Sequence, residues 1–146
     1  MKTVDILLVE DNPGDARLTR EAFASCAVPG TLHDVRDGEQ ALAFLRRQGP
    51  FAAAPTPQIV LLDLNLPRRD GREVLQDMKG DPALRHIPVV VLTSSAADED
   101  VLRSYHLHAN CFITKPGDIE AWSRVIDGIG RFWLDLVQLP PAEVLV

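Results

Sequence analysis

Acidic, hydroxyl and lysine side chains each follow one of the short apolar runs of this sequence. They are Glu10 and Asp11, Asp63, Thr93, and Lys115. Two carboxylates about 4 Å apart repel by roughly 4 kcal/mol at an effective dielectric constant of 20, so a cluster of three needs a compensating cation. Mg²⁺ is a hard cation that binds one or two carboxylates and keeps waters and phosphate oxygens as its other ligands. If these side chains meet in the fold, the sequence predicts a magnesium site beside a lysine.

An aspartate in such a cluster can also act as a nucleophile toward phosphorus and form an aspartyl phosphate. Phosphoryl transfer depends mainly on positioning the groups and on neutralising their charge. The metal and Lys115 would neutralise the phosphoryl oxygens, and the Thr93 hydroxyl would donate a hydrogen bond to one of them. The residue types therefore suit phosphoryl chemistry on a carboxylate.

The apolar runs that precede these residues have the composition of buried strands. They are rich in β-branched residues and are bounded by polar or turn residues. Continuous apolar runs of this length are typical of strands buried on both faces, as in a parallel sheet. The predicted strands are Val4–Val9, Thr31–Val35, Ile59–Leu62, Val89–Leu92 and Cys111–Ile113.

Helical patterns separate the predicted strands. Residues that favour helix N-termini precede four of them, and the third helix is predicted over Gly71 to Lys79. The predicted caps are Asn12, Asp37, Ser95 and Asp118. Five β-α units predict an open α/β fold with a parallel sheet and helices on both faces. Because functional residues of such folds lie at the carboxyl ends of the strands, the candidate residues are expected at one edge.

Composition limits the class of protein. The chain has 146 residues and a formal net charge of −6, which predicts one domain and disfavours nucleic acid as a direct partner. It contains no apolar run long enough to span a membrane and no signal-peptide pattern, so no membrane association is expected. Two cysteines, Cys26 and Cys111, give no disulfide framework, and a cytoplasmic location is expected.

Several motifs in order carry a resemblance to a known family. The chain resembles the receiver domain of two-component response regulators over essentially residues 3–129. The resemblance implies a flavodoxin-like, doubly wound, five-stranded parallel sheet of order 2-1-3-4-5, flanked by five helices. The matching segments are 7–12, 59–67 with Asp70-Gly71, 89–95 and 111–116.

The resemblance also implies a role for each candidate residue. Asp63 is the expected phosphoacceptor. The expected Mg²⁺ ligands are Asp11, Asp63 and the backbone carbonyl of Asn65, with Glu10 acting through water. The expected phosphoryl-binding and switch residues are Thr93, Lys115 and Phe112, and the peptide bond between Lys115 and Pro116 is expected to be cis.

A narrower resemblance concerns the signalling pathway. Residues 12–18 and 132–134 are similar to those of stand-alone regulators associated with bacterial phytochrome kinases. This implies a sensor histidine kinase, a bacteriophytochrome, as the phosphoryl donor. No output domain is expected after Val146, and output is expected through a protein partner, onward phosphotransfer, or drainage of phosphoryl groups. The segment 47–58 departs from the common pattern by lengthening one connection.

The C-terminal residues carry a separate prediction. The fifth helical pattern continues past Ile129 to the prolines at 140 and 141. We predict a receiver domain over 1–130 and a C-terminal extension over 131–146. Exposed contiguous apolar surface usually marks an interface, which favours a homodimer. The alternatives are a tail that folds back on its own domain and a helix bent at Gly128 or Gly130. The candidate dimer residues are Phe132, Trp133 and Leu136.

Some residues near the predicted site have plain structural explanations. Asp15 is expected to stabilise a helix N-terminus rather than to act at the site. Phe112 is equally consistent with a core residue. The arginines Arg68, Arg69 and Arg72 are expected to form a solvated face, with contact to a partner as the alternative.

Two other functions stay open at this point. A phosphatase or transferase with an aspartyl-phosphate intermediate would need a second acid two residues after the nucleophile, where this chain has Asn65. A receiver-like interaction module with a vestigial pocket would not bind Mg²⁺. The expected function is therefore a phosphoacceptor signalling domain with at most weak self-catalysed phosphorylation and dephosphorylation.

Overall fold

The computed structural model describes residues 4–25 and 30–141, so Cys26 lies outside the described residues. Strands and helices alternate along this part of the chain as predicted, with three strand bounds differing by one residue. The strands are β1 (Val4–Val9), β2 (Gly30–Val35), β3 (Ile59–Leu62), β4 (Val89–Thr93) and β5 (Cys111–Thr114). The helices are α1 (Pro13–Ala24), α2 (Gly38–Leu45), α3 (Gly71–Gly80), α4 (Asp98–His106) and α5 (Ile119–Ile129).

The five strands form one parallel sheet in the order β2-β1-β3-β4-β5. This confirms the expected flavodoxin-like arrangement. Val9 at the end of β1 lies opposite Leu62 at the end of β3, and Thr93 lies opposite Thr114. The residues that follow these strands therefore leave the sheet at the same edge.

Two apolar cores cover the two faces of the sheet. Leu7 and Val9 of β1 pack into the core that contains the buried residues of α2 and α3. Ile6 and Leu8 pack into the core that contains the buried residues of α1 and α5. Every residue of β3 and β4 is buried, which explains why these strands are continuous apolar runs.

Side-chain caps begin most of the helices. Three of the predicted caps are confirmed, since Asn12, Asp37 and Asp118 each accept a hydrogen bond from a backbone N–H of the first helical turn. Asp70 caps α3 by accepting from the N–H of Arg72 at 2.7 Å. These caps satisfy N–H groups that have no partner within the helix.

The predicted cap of α4 is wrong. The helix begins at Asp98, and Ala97 occupies the capping position without a side-chain hydrogen bond. Ser95 lies too far before the first turn to cap it, and its hydroxyl instead donates to Asp100 Oδ2 at 2.5 Å.

The helical path continues from α5 into a π-helical segment over Gly130–Leu136, here called the C-terminal segment. Gly130 has ordinary helical backbone angles, so the helix does not break there. Phe132 is 48% exposed and Leu136 is 75% exposed. Beyond the segment, Leu139 is buried in the α1–α5 core and the side chain of Gln58 donates to Pro140 O at 3.4 Å. The C-terminal residues thus expose apolar surface and also fold back on the domain.

Among the described residues, no helix combines the length and the apolar character needed to cross a membrane.

Candidate functional site

Three carboxylates converge at the carboxyl edge of the sheet. One oxygen from each of Glu10, Asp11 and Asp63 lies within 4.8 Å of the others. Glu10 and Asp63 are buried, whereas Asp11 is exposed. The backbone explains this proximity, because Asp63 N donates to Val9 O at 3.1 Å and so holds the two strand ends side by side.

Lys115 lies at the centre of the acidic residues. Its Nζ is 2.5 Å from Glu10 Oε1, 2.8 Å from Asp15 Oδ2 and 3.1 Å from Asp63 Oδ2. The side chain is only 5% exposed. Burial alone would lower the pKa of Lys115, but hydrogen bonds to Asp15 and Glu10 and the charges of Glu10 and Asp63 raise it above its usual value. Lys115 therefore stays protonated and binds the carboxylates together.

Asp15 belongs to this site, contrary to the expectation that it acts only on its helix. It lies in the first turn of α1, where its backbone N–H donates to the Asn12 cap at 3.1 Å. Because α1 begins directly after β1, this turn lies over the same edge of the sheet. A signal was present in the sequence, since a carboxylate in the first turn after a strand of this kind lies near the strand's carboxyl end.

Glu10 has the most strongly altered acidity of the carboxylates. Its pKa is raised from 4.5 to about 7, mainly by burial; the hydrogen bond from Lys115 opposes this rise and the negative charge of Asp63 adds to it. The site thus gathers more carboxylates than its single ammonium group neutralises. Hard oxygen donors with excess negative charge fit a divalent cation such as Mg²⁺.

Thr93 provides a second indication of a ligand. Its side chain is fully buried at the end of β4, and its hydroxyl has no hydrogen-bond partner among the described residues. A buried polar group without a partner costs about 1–3 kcal/mol. The next strand is fixed beside it, because Lys115 N donates to Thr93 O at 2.7 Å. The Thr93 hydroxyl is therefore free to donate a hydrogen bond, and it lies beside β5, the strand that precedes Lys115.

Asn65 lies next to the acidic cluster, whereas Phe112 packs against the α2–α3 core. The backbone N–H of Asn65 donates to Asp63 Oδ1 at 3.3 Å, which puts the Asn65 backbone next to the carboxylate. Phe112 lies in β5, packs against the α2–α3 core and donates its backbone N–H to Tyr105 Oη at 3.2 Å. The ring of Phe112 is thus a half-buried core residue in this arrangement.

The expected cis peptide bond before Pro116 is a wrong prediction. The described part of the chain contains no cis peptide bond. The trans form is favoured at most X–Pro bonds, and with it Lys115 already reaches all three of its carboxylate partners.

Two glycines fix the loop that carries Asp63. A Cβ on Gly71 would lie 2.2 Å from Asp63 O and 2.6 Å from Leu64 Cα. A Cβ on Gly38 would lie 2.1 Å from the carbonyl oxygen of Arg69. Only glycine permits such close backbone contacts, so α2 and α3 both begin against this loop. Sequence reasoning placed Gly71 in a motif but missed Gly38.

The comparison with known families agrees with this geometry. The family model of the response regulator receiver domain matches residues 6–127. The chain belongs to the response regulator receiver family. The matched residues include the whole acidic cluster, Thr93 and Lys115.

Individual receivers resemble the chain over most of its length. The response regulator Rcp1 of Synechocystis is 47% identical over 137 residues, which cover 94% of this chain and 93% of Rcp1. The crystal structure of the Mn²⁺-bound form of Rcp1 has a TM-score of 0.91 at 46% identity and covers 94% of this chain and 99% of that one. The family's sheet order and its five helices are those described above.

Phytochrome-associated receivers are also among these relatives. The phosphorylated cyanobacterial phytochrome response regulator RcpA is 48% identical with a TM-score of 0.93, and the match covers 96% of this chain and all of RcpA. The bacteriophytochrome response regulator AtBRR is 45% identical with a TM-score of 0.74, covering 91% of this chain and 96% of AtBRR. The chain is therefore a response regulator receiver similar to the phytochrome-associated ones.

Proposed function

We propose that Asp63 is the phosphoacceptor of this receiver and that a sensor histidine kinase is the donor. An oxygen of the Asp63 carboxylate attacks the phosphorus, the bond to the donor's histidine nitrogen breaks, and an acyl phosphate forms. The observation that carries this proposal is the contact between Asp63 Oδ2 and Lys115 Nζ at 3.1 Å inside the acidic cluster. The lysine is thus already in place to neutralise a phosphoryl oxygen.

Mg²⁺ is the proposed cofactor. Asp11, Asp63 and the Asn65 carbonyl would hold it, with Glu10 acting through water, and it would neutralise charge on the phosphoryl group. The grouping of three carboxylates supports this, as does the Mn²⁺ in the structure of Rcp1. All of these donors are hard oxygen atoms, which suit either cation.

Thr93 and Lys115 would recognise the transferred group. Phosphorylation adds about 1.5 to 2 negative charges and three acceptor oxygens. Lys115 would pair with one oxygen, and the Thr93 hydroxyl, which has no partner among the described residues, would donate to another. Movement of Thr93 and Phe112 would then change the surface formed by α4 and β5, and with it a contact to a partner protein.

Turnover of phosphate esters is not part of this proposal. An aspartyl-phosphate hydrolase would need a general acid two residues after Asp63, and the amide side chain of Asn65 cannot supply a proton in that way. The proposed chemistry is phosphoryl acceptance with slow self-catalysed loss. We also propose a phytochrome histidine kinase as the donor, which the similarity to the phytochrome response regulators RcpA and AtBRR supports. A cytoplasmic location is part of this proposal.

Intact-protein mass after incubation with acetyl phosphate tests the proposal. We expect a gain of one phosphoryl group that requires Mg²⁺ and disappears in Asp63→Asn. Asp127→Asn, which changes an exposed aspartate of α5, is the matched control and should be labelled like the wild type. Labelling that persists in Asp63→Asn, or rapid turnover of a small phosphate ester, would contradict the assignment.

We also propose that the C-terminal extension over 131–146 pairs two copies of the chain beyond a receiver domain over 1–130. Phe132 and Trp133 line an apolar groove of about 590 Å³ against the edge strand β5. Leu136 lies at the end of the same segment and is mostly exposed. A second copy could place its own exposed residues in the groove. Light scattering should show a dimer for the wild type and a monomer for Leu136→Glu, whereas Leu102→Glu in α4 should leave the mass unchanged.

A further inference from the structure

Arg72 connects two loops at the edge of the proposed site. Its Nη1 lies 3.2 Å from both oxygens of Asp70, and its Nη2 lies 2.6 Å from Asp100 Oδ1. The side chain is 17% exposed, whereas that of Arg68 is 67% exposed. Arg72 therefore does not belong to the solvated face expected from the sequence.

Asp100 links Arg72 to the segment that follows β4. Its second oxygen accepts from the hydroxyl of Ser95 at 2.5 Å. The hydrogen bonds from Ser95 and Arg72 lower the pKa of Asp100, so this carboxylate stays ionised. Ser95 lies two residues after Thr93, in the connection between β4 and α4. We call the four residues Asp70, Arg72, Asp100 and Ser95 the arginine bridge.

The other end of the arginine bridge reaches the proposed phosphoacceptor. Asp70 precedes Gly71, and Gly71 N donates to Leu64 O at 2.9 Å. The Cα of Gly71 packs so closely on Asp63 O that no Cβ would fit. The bridge thus joins the backbone that carries Asp63 to the connection that carries the unpartnered hydroxyl of Thr93.

We infer that Arg72 is a positioning residue that holds the two loops in the arrangement in which the Thr93 hydroxyl lacks a partner, and so opposes the switch to the phosphorylated state. This inference rests on the proposed phosphorylation of Asp63. A ligand shifts a two-state equilibrium only by its different affinity for the two states. An interaction that stabilises the unswitched state therefore weakens binding of a phosphoryl group, and its loss strengthens that binding.

The shape of the guanidinium explains why an arginine occupies this position. Its planar fork of N–H groups can bind two carboxylates on different elements at once, which the ammonium of lysine does less well. Arg46 offers a comparison, because its Nε lies 3.8 Å from Asp81 Oδ2. This ion pair joins the ends of α2 and α3. That pair also links two elements, but it lies away from the loops at the site.

Binding of beryllium trifluoride, a mimic of the phosphoryl group on a carboxylate, tests the inference. The affinity of the wild type, Arg72→Gln, Arg72→Lys and Arg46→Gln would be measured by calorimetry in excess Mg²⁺, after a thermal melt has shown that each variant is folded. We expect Arg72→Gln to bind about fivefold more tightly than the wild type, at the low end of allosteric couplings. Arg46→Gln should match the wild type, and Arg72→Lys should fall between.

Ser95 gives a second test that does not depend on the folding of an Arg72 variant. Ser95→Ala removes the hydroxyl and should tighten binding as Arg72→Gln does, whereas Ser95→Thr keeps a hydroxyl and should restore the wild-type affinity. Loss of a merely structural contact would not tighten binding, nor would it be rescued in this way.

The outcomes separate the inference from the proposed function. Unchanged or weaker binding by folded Arg72→Gln and Ser95→Ala, while the wild type binds the mimic and accepts a phosphoryl group, would overturn the role of Arg72 alone. Failure of the wild type to bind the mimic and to gain a phosphoryl group would overturn both.

Discussion

Two neighbouring helices, α3 and α4, are held to the domain by different forces. Three side chains of α3, those of Val74, Leu75 and Met78, are completely buried in the core beside the sheet. In α4 the buried residue is Ser104, and Leu102 is 61% exposed. The hydrophobic effect therefore fixes α3, whereas α4 depends mainly on polar contacts.

The polar contacts of α4 are few and directional. Asp100 binds Arg72 at 2.6 Å and Ser95 at 2.5 Å, and Tyr105 Oη accepts from Phe112 N at 3.2 Å. Each hydrogen bond contributes only about 0.5–1.5 kcal/mol net, so α4 can move at lower cost than α3. The difference suits the proposed function, because Asp63 lies before the fixed helix and Thr93 lies before the movable one.

Truncation of matched leucines should give the largest difference between the two helices. Leu75→Ala leaves a cavity in the core, so we expect it to lower the free energy of unfolding by about 3 kcal/mol. Leu102→Ala removes the same atoms from an exposed position, and its effect should stay within about 0.5 kcal/mol. Urea unfolding followed by circular dichroism measures both. Similar losses for the two variants would mean that α4 is packed as firmly as α3.

Alanine substitutions at the two ends of α3 should show a smaller difference in the free energy of unfolding. Gly71→Ala forces a methyl group against the backbone of Asp63 and Leu64, and overpacking of this kind costs about 1–3 kcal/mol. Gly80→Ala should be neutral or stabilise by up to about 1 kcal/mol, because nothing lies within 4 Å of its added Cβ. The initial rate of labelling by acetyl phosphate should fall in Gly71→Ala and not in Gly80→Ala.

An equal response of Gly71→Ala and Gly80→Ala would contradict the idea that the start of α3 positions the phosphoacceptor. If Gly71→Ala lost stability but kept the wild-type labelling rate, the close contact would serve folding alone.

Much of the fold could be predicted from the sequence because its pattern is local and repeated. The runs before Asp63 and Thr93 are apolar at every position, and the run before Glu10 is apolar at every position except Asp5. Such runs are a property of central parallel strands. Once parallel pairing is assumed, the carboxyl ends share an edge, so the meeting of these side chains follows from topology. Three strand bounds then needed correction, each by one residue.

The features of the site that could not be predicted depend on contacts between residues that lie far apart in the sequence. Asp15 and Lys115 form an ion pair across 100 residues of sequence, and Arg72 reaches Asp100 across 28. Neither pairing has a sequence pattern, because it is set by how helices rotate against the sheet. The failed cap at Ser95 has a local cause, because α4 begins three residues later and the Ser95 hydroxyl binds the side chain of Asp100 in the first turn.

The hydroxyl of Tyr105 should give the smallest effect and the most local one. Tyr105→Phe keeps the ring but removes the acceptor of the Phe112 N–H, so we expect a loss of about 0.5–1 kcal/mol in the free energy of unfolding. Hydrogen exchange of the Phe112 amide should become faster, because a bond between α4 and β5 is gone. The amide of Lys115, which donates to Thr93 O within the sheet at 2.7 Å, is the internal control and should not change. If both amides exchanged faster, the hydroxyl would stabilise the edge of the sheet as a whole, and α4 would be tied to the domain more firmly than its exposed leucine indicates.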